Sequence, residues 1–581
     1  MCGIHGFLWS DPEAMTTMIK IAHHRGPDGN GQWHDDNITL GHNLLSITDD
    51  ASDSIQPWQH NNLVITYNGE IYNYRQLRKT LNYNFKTDTD TEVLAVGLEQ
   101  RGLKFLEEID GMFAFACYNK QDKTLILARD SNGAKPLYYG ELNGRLAFSS
   151  EIKSLLALGF PRKVSMEGFR HLHYSGLTSG YITCFDQIKR LVPGEIVLIN
   201  TSNNSKKTHN LNDLVIPKAI QPYKNLERDL ASKLKESVNL TLMGRRNIGI
   251  FLSGGLDSSS VFYEAVVGNN KKPLAISTRF DLSSGGKNLN DDADLARRYA
   301  KELKTPHIDC NFNEQDWVNL IEKTIWVMEE PRQGRSFPAY YKTYQTLRQK
   351  DIIVTMSGDG GDELLVGYKH YIKPGFEQRL LGLRASVLDF NNPELQLSHE
   401  EQVAYLHSWL PKGGLTDDLL NNAMYVESLN VLSEDFLIRN DKLGMAFGME
   451  ARFPMLCNAF KNFVRGIPSS VKVNAEFHGP SWMTHSKGLL KRSYTKKLPD
   501  YILTKNKSGW RAPADDWIKP LAKNEPGLLA DYIRAQLTPE IAEFFELPKN
   551  NNRIDFAALS SKTLFTALIF SIWVQQFDLT F

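Results

Sequence analysis

Short apolar runs and longer amphipathic stretches are distributed unevenly along this chain, and their spacing divides it into two regions. In the first region the runs are short. Leu63-Val-Ile-Thr-Tyr67 and Thr124-Leu-Ile-Leu-Ala128, bounded by Asn, Asp and Gly, predict β-strands, while Thr89 to Gln100 has helical character. In the second region Asn247-Ile-Gly-Ile-Phe-Leu252 and Asp351-Ile-Ile-Val-Thr-Met356 predict buried strands, and Ala293 to Leu303 and Tyr340 to Gln349 predict helices. Strands alternating with helices imply a parallel sheet covered on both faces. Between the regions, Asn200 to Asn210 lacks large apolar residues and predicts a loop or linker. The expected division is residues 1–205, a linker over 206–222, and residues 223–581. The most apolar stretch, Leu564 to Val574, is interrupted by Thr566 and Ser571 and falls short of the ~20 residues that span a bilayer. A buried C-terminal helix is predicted there.

Composition narrows the class. At ~100–200 residues per domain, a chain of 581 residues holds two to four domains, and 41% hydrophobic residues exclude a disordered chain. With 67 basic against 67 acidic residues, the formal charge is zero. That argues against bulk binding to nucleic acid, whose affinity comes from neutralised phosphates. Five widely spaced cysteines without a CxxC exclude a cysteine zinc site and disfavour a disulfide framework. No charged segment followed by an apolar leader opens the chain. The expectation is a cytoplasmic enzyme without membrane or nucleic-acid partners.

Chemistry concentrates in two places. Cys2 follows the initiator Met. If Met1 is removed, a thiol and an α-amine share one residue, and an amine of pKa ~7.7–8.0 serves as base near neutrality. Asn68-Gly-Glu70 follows the strand at 63–67. Asn68 and the Gly69 N–H are candidate donors to an oxyanion, and Glu70 with Asp90 are candidate partners for a substrate ammonium. His24-Arg-Gly-Pro-Asp28 is a tight turn bracketed by charge. In the second region Phe251-Leu-Ser-Gly-Gly-Leu-Asp-Ser-Ser259 follows a strand. Ser253, Gly254 and Gly255 let backbone N–H groups approach an anion, and Ser258 and Ser259 begin a helix whose positive end faces it. No GxxxxGK[ST] occurs. A second loop, Ser357-Gly-Asp-Gly-Gly-Asp-Glu363, follows the strand at 351–356. Asp257 and Asp362 are candidate Mg²⁺ ligands, and Asp359 is a catalytic candidate. His23 and His24, adjacent in sequence, do not make a transition-metal site.

The segments MCGIHGF, HRGPD, YNGEIYN, TDTE, GMFAFA, ARDSNGAKPLYY and FSSEIKSLL, with SGGLDSS and SGDGGDE after them, resemble in order the glutamine-hydrolysing asparagine synthetase family. The resemblance covers nearly the whole chain. It implies an α+β N-terminal-nucleophile glutaminase domain, an αββα sandwich. An α/β parallel-sheet ATP-pyrophosphatase domain, adenine nucleotide α-hydrolase-like, follows it. It makes Cys2 the glutaminase nucleophile and Asn68, Gly69, Glu70 and Asp90 the glutamine holders. Lys487 becomes the lysine on the phosphates or the developing acyl-adenylate. Leu252, Thr278, Ser357 and Gly358 become contacts of the adenine nucleotide. Lys442 and Gly444 stand where the family has arginine and serine. Another departure is Leu44 in Gly41-His-Asn-Leu-Leu-Ser-Ile47, where the family has an arginine that grips the glutamine α-carboxylate. Backbone N–H groups near Ile47 and Thr48, or another arginine, must then carry that carboxylate, or glutamine is bound weakly.

The implied reaction takes ammonia from glutamine to a carboxylate activated by MgATP, by way of a dry interdomain tunnel. Aspartate is the expected acceptor. The stretch Glu329 to Pro338, with Arg332 and Arg335, is its expected pocket, and Lys507-Ser-Gly-Trp510 matches relatives that amidate other acids, such as sugar acids. A lactam-forming ligase and a non-catalytic binding protein are the alternatives; the retained Cys2 weighs against the first, and Cys2, Asp257, Asp362 and Lys487 together weigh against the second. The family also implies a homodimer.

Overall fold

The computed structural model describes residues 2–48, 54–178, 180–214, 224–281, 289–372, 397–398, 400–402, 404, 416–473, 486–505 and 512–581. The first twelve strands form two six-stranded sheets. They are β1 (Gly3–Phe7), β2 (Gly29–His34), β3 (Thr39–Leu44), β4 (Trp58–His60), β5 (Leu63–Ile71), β6 (Gly111–Asn119), β7 (Thr124–Arg129), β8 (Tyr138–Leu142), β9 (Arg145–Ser149), β10 (Ile188–Arg190), β11 (Glu195–Asn200) and β12 (Lys206–Asn210). One sheet has the order β10-β8-β9-β1-β3-β2 and the other β12-β11-β7-β6-β5-β4. Neighbouring strands are antiparallel. Ile4, Leu40 and Phe148 of one sheet meet Val64, Ala116 and Leu127 of the other in a buried layer. Helices cover the outer faces: Pro12–Ile21 and Ile152–Ala157 on the first sheet, Asp90–Arg101 on the second. This is an αββα sandwich. It sets β1 and β5 face to face, so Cys2, just ahead of β1, meets Asn68 on β5.

The polar stretch 200–210 is not the loop its composition predicts. It is a hairpin: the Asn200 side chain accepts from the N–H groups of Ser202 and Asn203, at 2.9 and 3.2 Å, and β12 pairs antiparallel with β11. β12 is an edge strand with mostly exposed side chains, so nothing forces apolar alternation on it. Residues 211–214 form a 3₁₀ turn, and 215–222 of the expected linker lie outside the described residues.

The second region contains β13 (Ile248–Phe251), β14 (Leu274–Phe280), β15 (His307–Phe312), β16 (Val354–Met356) and β17 (Glu450–Arg452), all parallel, in the order β15-β14-β13-β16-β17. The chain runs outward from β13 in both directions, which puts a topological switch point between β13 and β16. Ligands of open α/β sheets bind beyond the carboxyl ends of the strands at that place. One face is covered by helices Leu226–Thr241 and Leu256–Tyr263, the other by Phe337–Arg348 and Ile438–Met445.

The apolar stretch near the C-terminus is the helix Ser561–Phe577. Its Leu568, Phe570, Trp573 and Phe577 are buried in a cluster shared with Phe7, Ile152 and Phe185 of the first region. At about 1.5–3 kcal/mol for each large apolar side chain fully buried, this cluster is a strong tie between the two regions. No helix among the described residues is long and apolar enough to cross a membrane.

Candidate functional site

Cys2 lies at the head of a pocket whose lining includes Leu44, Ile47, Thr48, Gly69, Glu70 and Asp90. Its N–H donates to Asn68 Oδ1 at 2.9 Å, and its carbonyl accepts from Arg25 Nε at 3.1 Å. Arg25, from the HRGPD turn, is fully buried and also bonds Glu151 and Asp441. The turn's charge therefore fixes the backbone of Cys2, the candidate nucleophile, a role its sequence did not disclose. Burial pushes the Cys2 thiol above its ordinary pKa, so attack requires a proton acceptor rather than a standing thiolate. The Asn68 Nδ2 is buried without a hydrogen-bond partner among the described residues. An orphaned amide donor beside a nucleophile is what an oxyanion needs.

At the far wall, Asp90 accepts from the Tyr67 hydroxyl (2.8 Å) and the Ile71 N–H (2.9 Å). Glu92 of the same TDTE segment does not reach the pocket. It ties down the turn before its helix by accepting from the N–H groups of Lys86 and Thr87. Burial, with Asp90 and Glu450 nearby, raises the Glu70 carboxyl well above the usual range, which Arg452 opposes from 3.4 Å. Arg452 belongs to β17, so the second region supplies part of the floor of this pocket. A bound ammonium would bring the missing positive charge to Glu70 and Asp90.

Leu44 is buried in the wall and offers no charge. The polar groups there belong to the next turn. The Ser46 N–H donates to Asp28 Oδ2 (2.9 Å), and the Ser46 carbonyl accepts from Arg246 Nε (2.8 Å). Arg246 Nη2 closes the loop on Asp28 Oδ2 (2.9 Å), and the Arg245 N–H donates to the Ile47 carbonyl (3.0 Å). The turn that presents Ile47 and Thr48 is thus clamped from the segment leading into β13.

At the carboxyl end of β13, Ser253 and Ser258 bond each other through their hydroxyls (3.0 Å), and the Gly255 N–H donates to Ser253 Oγ (3.3 Å). Gly254 has φ +67°, and a Cβ there would meet the Asp292 carbonyl at 2.6 Å. The following helix begins at Leu256, two residues earlier than Ser258. Leu252 is buried, and its N–H donates to the Ile276 carbonyl. Thr278 Oγ1 pairs with Thr343 Oγ1 (2.9 Å). The loop after β16 closes on the first: a Cβ on Gly358 would lie 2.6 Å from the Ser258 nitrogen. Lys487 bridges Asp257 and Asp362, reaching Asp362 at 2.6 Å. These two carboxylates hold its ammonium charged, raising its pKa against burial. Asp359 Oδ2 accepts from Ser357 Oγ (2.6 Å) and Asn440 Nδ2 (3.0 Å). Burial raises the Asp359 carboxyl, and Arg439 pulls it back.

One expectation changes. Arg332 and Arg335 do not share a partner: Arg332 turns inward to Glu330 (2.6 Å), whereas Arg335 pairs with Asp515 and stacks on Phe565. Asp441 and Lys442 bind Arg25, Lys135 and Glu329 in a buried ionic network that spans the two regions. The segment 507–510 lies outside the described residues.

Residues 1–210 match the sequence model of the glutamine amidotransferase domain, and residues 229–573 match that of asparagine synthase. Asparagine synthetase (glutamine-hydrolyzing) 1 of Bacillus subtilis is 27% identical, over 99% of this chain and 96% of that protein. A putative asparagine synthetase (glutamine-hydrolyzing) of Mycobacterium bovis is 26% identical, over 99% and 97%. A protein named amidase chry2, from Gibberella zeae, is 24% identical over 87% and 86%. Among solved structures, the allosteric regulatory enzyme of purine biosynthesis aligns with a TM-score of 0.30 and 15% identity, over 54% of this chain and 80% of that one.

Proposed function

We infer, on the premise that this chain belongs to the asparagine synthase family of glutamine-hydrolysing ligases, that Cys2 releases ammonia from glutamine and that the loops after β13 and β16 pass it to an ATP-activated carboxylate, with aspartate the expected acid. The observation that carries this is the pairing of Cys2 with Asn68 at the head of a pocket that ends in Glu70 and Asp90.

The Cys2 sulfur attacks the side-chain amide carbon of glutamine, and the oxyanion takes the Asn68 Nδ2 and Gly69 N–H groups. The amide nitrogen leaves as ammonia with the thiol proton, and water then splits the thioester to glutamate. Glu70 and Asp90 hold the substrate ammonium; the N–H groups of Ile47 and Thr48 hold its carboxylate. In the second site the acceptor carboxylate displaces pyrophosphate from the α-phosphorus of ATP. Ammonia attacks the acyl carbon, and AMP departs. Ser253, Gly254, Gly255 and Ser258 cradle the phosphates, Leu252, Thr278, Ser357 and Gly358 frame the nucleotide, Lys487 meets the developing charge, and Asp359 acts at the reacting groups. Asp257 and Asp362 are the residues that would hold a magnesium ion through their hard oxygens, the Lys487 ammonium that now bridges them moving to the phosphates. When bound, Mg²⁺ neutralises charge on the pyrophosphate. Residues 1–210, through β12, then carry the glutaminase and 223–581 the synthetase. Between them Leu45, Ile47, Ile353, Val354 and Met445 form a buried apolar cluster, which supports a dry passage for ammonia.

Two substitutions probe the first site. Asn68→Ala is expected to lower glutaminase kcat on the order of 10²–10³-fold, the usual effect of one oxyanion donor, with ammonia-driven synthesis unchanged. Arg246→Ala is expected to raise the glutamine KM roughly 2- to 10-fold, as for one lost hydrogen bond, without lowering kcat equally. An unchanged KM would separate Arg246 from glutamine binding.

The acceptor is tested by following pyrophosphate from ATP, Mg²⁺ and ammonium with a panel of carboxylic acids. Release with aspartate supports asparagine formation; release with a sugar acid alone assigns the same chemistry to a different product.

A further inference from the structure

Among the described residues, the charged side chains lining the Cys2 pocket are Glu70 and Asp90, and the walls beside them include the buried Leu44, Leu45 and Ile47. Glu70 is 3% exposed, and its Oε1 has no hydrogen-bond partner among the described residues. Burial, followed by the charges of Asp90 and Glu450, holds its carboxyl well above the usual range. The cations around the pocket are already committed. Arg452 lies 3.4 Å from Glu70 but also bonds Glu450, Arg25 is shared by Glu151 and Asp441, and Arg246 closes on Asp28. Residues 49–53, which follow Thr48, read Asp-Asp-Ala-Ser-Asp and bring no basic side chain.

A pocket of this make-up suits an ammonium better than a carboxylate. Two buried carboxylates attract a cation. A carboxylate set against Leu44 and Ile47 would lose hydration without meeting an opposite charge. The N–H groups of Ile47 and Thr48 are neutral donors. Such donors also hold a carbonyl oxygen, which costs less to desolvate than a full negative charge. Thr48 and Ser54, at this end of the pocket, are only half-buried. A substituent on that carbonyl therefore has a way out toward solvent.

Resting on the glutaminase reading above, we propose that this pocket selects its substrate by the side-chain amide and the α-ammonium and not by a free α-carboxylate, so that α-amides of glutamine are hydrolysed as readily as glutamine itself. Leu44 sets that selectivity. The step balances as it does for glutamine. The Cys2 sulfur bonds to the side-chain carbon, the C–N bond breaks, and ammonia leaves with the thiol proton. Water then cleaves the thioester, leaving the α-amide of glutamic acid.

The test uses the full-length enzyme and measures ammonia released from three compounds near neutral pH. They are L-glutamine, its α-N-methylamide and 4-carbamoylbutanoate, which is glutamine without its ammonium. Ammonia from the methylamide can come only from the side chain. The methylamide is expected to react with a kcat/KM within about threefold of that for glutamine, where a charged partner for the carboxylate would separate them by about 10-fold or more. 4-Carbamoylbutanoate should fall at least about 10-fold below both, the same scale for the lost ammonium contacts. Leu44→Arg is expected to lower the glutamine KM about 10-fold and to leave that of the methylamide within about twofold, since a guanidinium gains only from the carboxylate. An unchanged far-UV circular dichroism spectrum shows that the variant folds; should it not fold, the wild-type comparison decides alone. A wild-type preference for glutamine over the methylamide of about 10-fold or more overturns the proposal. So does 4-carbamoylbutanoate reacting as well as glutamine. Ammonia from none of the three would instead overturn the glutaminase reading itself.

Discussion

Cys2→Ala is expected to abolish amide formation from glutamine while ammonium continues to support it at close to the wild-type rate. Loss of a covalent nucleophile removes on the order of 10⁴-fold or more of turnover. No other thiol lines the pocket: Cys117, Cys184, Cys310 and Cys457 are buried elsewhere. The synthetase half keeps its own chemistry, since neither Asp359 nor Lys487 touches Cys2. The raised thiol pKa gives a second readout. A buried thiol that must hand its proton to an α-amine of pKa ~7.7–8.0 should speed up as pH rises through that range. Glutamate release and pyrophosphate release, each measured with glutamine and with ammonium, separate the two halves. Glutamate release surviving in Cys2→Ala would remove the thiol from the mechanism.

Lys487→Met has the second large effect, and on the other half. Pyrophosphate release is expected to fall on the order of 10²–10³-fold with either nitrogen source, the scale of one preorganised charge at a transition state. Glutamine hydrolysis should persist. Lys487 sits at φ +54° ahead of the helix Gly488–Tyr494, so a β-branched replacement would add backbone strain to the lost charge; methionine isolates the charge. Removing the ammonium also takes from Asp257 and Asp362 the positive charge of Lys487 that lies between them. Added Mg²⁺ should therefore raise the melting temperature of the variant more than that of the wild type. Equal pyrophosphate release in the two proteins would contradict this role.

The strands at 63–67, 124–128, 247–252 and 351–356 were legible because buried strands write continuous apolar runs. The helices at 291–302 and 337–348 were legible from their amphipathic spacing, whereas that at 90–101, buried along nearly its whole length, showed only helical character. β12 was not legible, because an exposed edge strand carries no such pattern. The proposed nucleophile and both glycine loops are local in sequence, a thiol at position 2 and glycine turns after strands, so the sequence suffices to propose them. Arg25, Arg246 and Arg452 were not legible. Each acts through a partner far away in the chain, Arg452 with Glu70, Arg25 with Asp441 and Arg246 with Asp28, and only the folded arrangement shows the pairing. What stands in for the family's arginine at the pocket wall was likewise unreadable. The sequence showed Leu44 in its place, and the clamp on Ser46 appears only when β3 and the segment before β13 meet.

Glutamine labelled with ¹⁵N in its side-chain amide, supplied with ATP, Mg²⁺ and aspartate, tests the central claim most directly. Mass spectrometry of the product and of the nucleotide should show the label in a new amide, with one AMP and one pyrophosphate for each labelled molecule. Unlabelled product, or ADP and phosphate in place of AMP and pyrophosphate, would contradict the account.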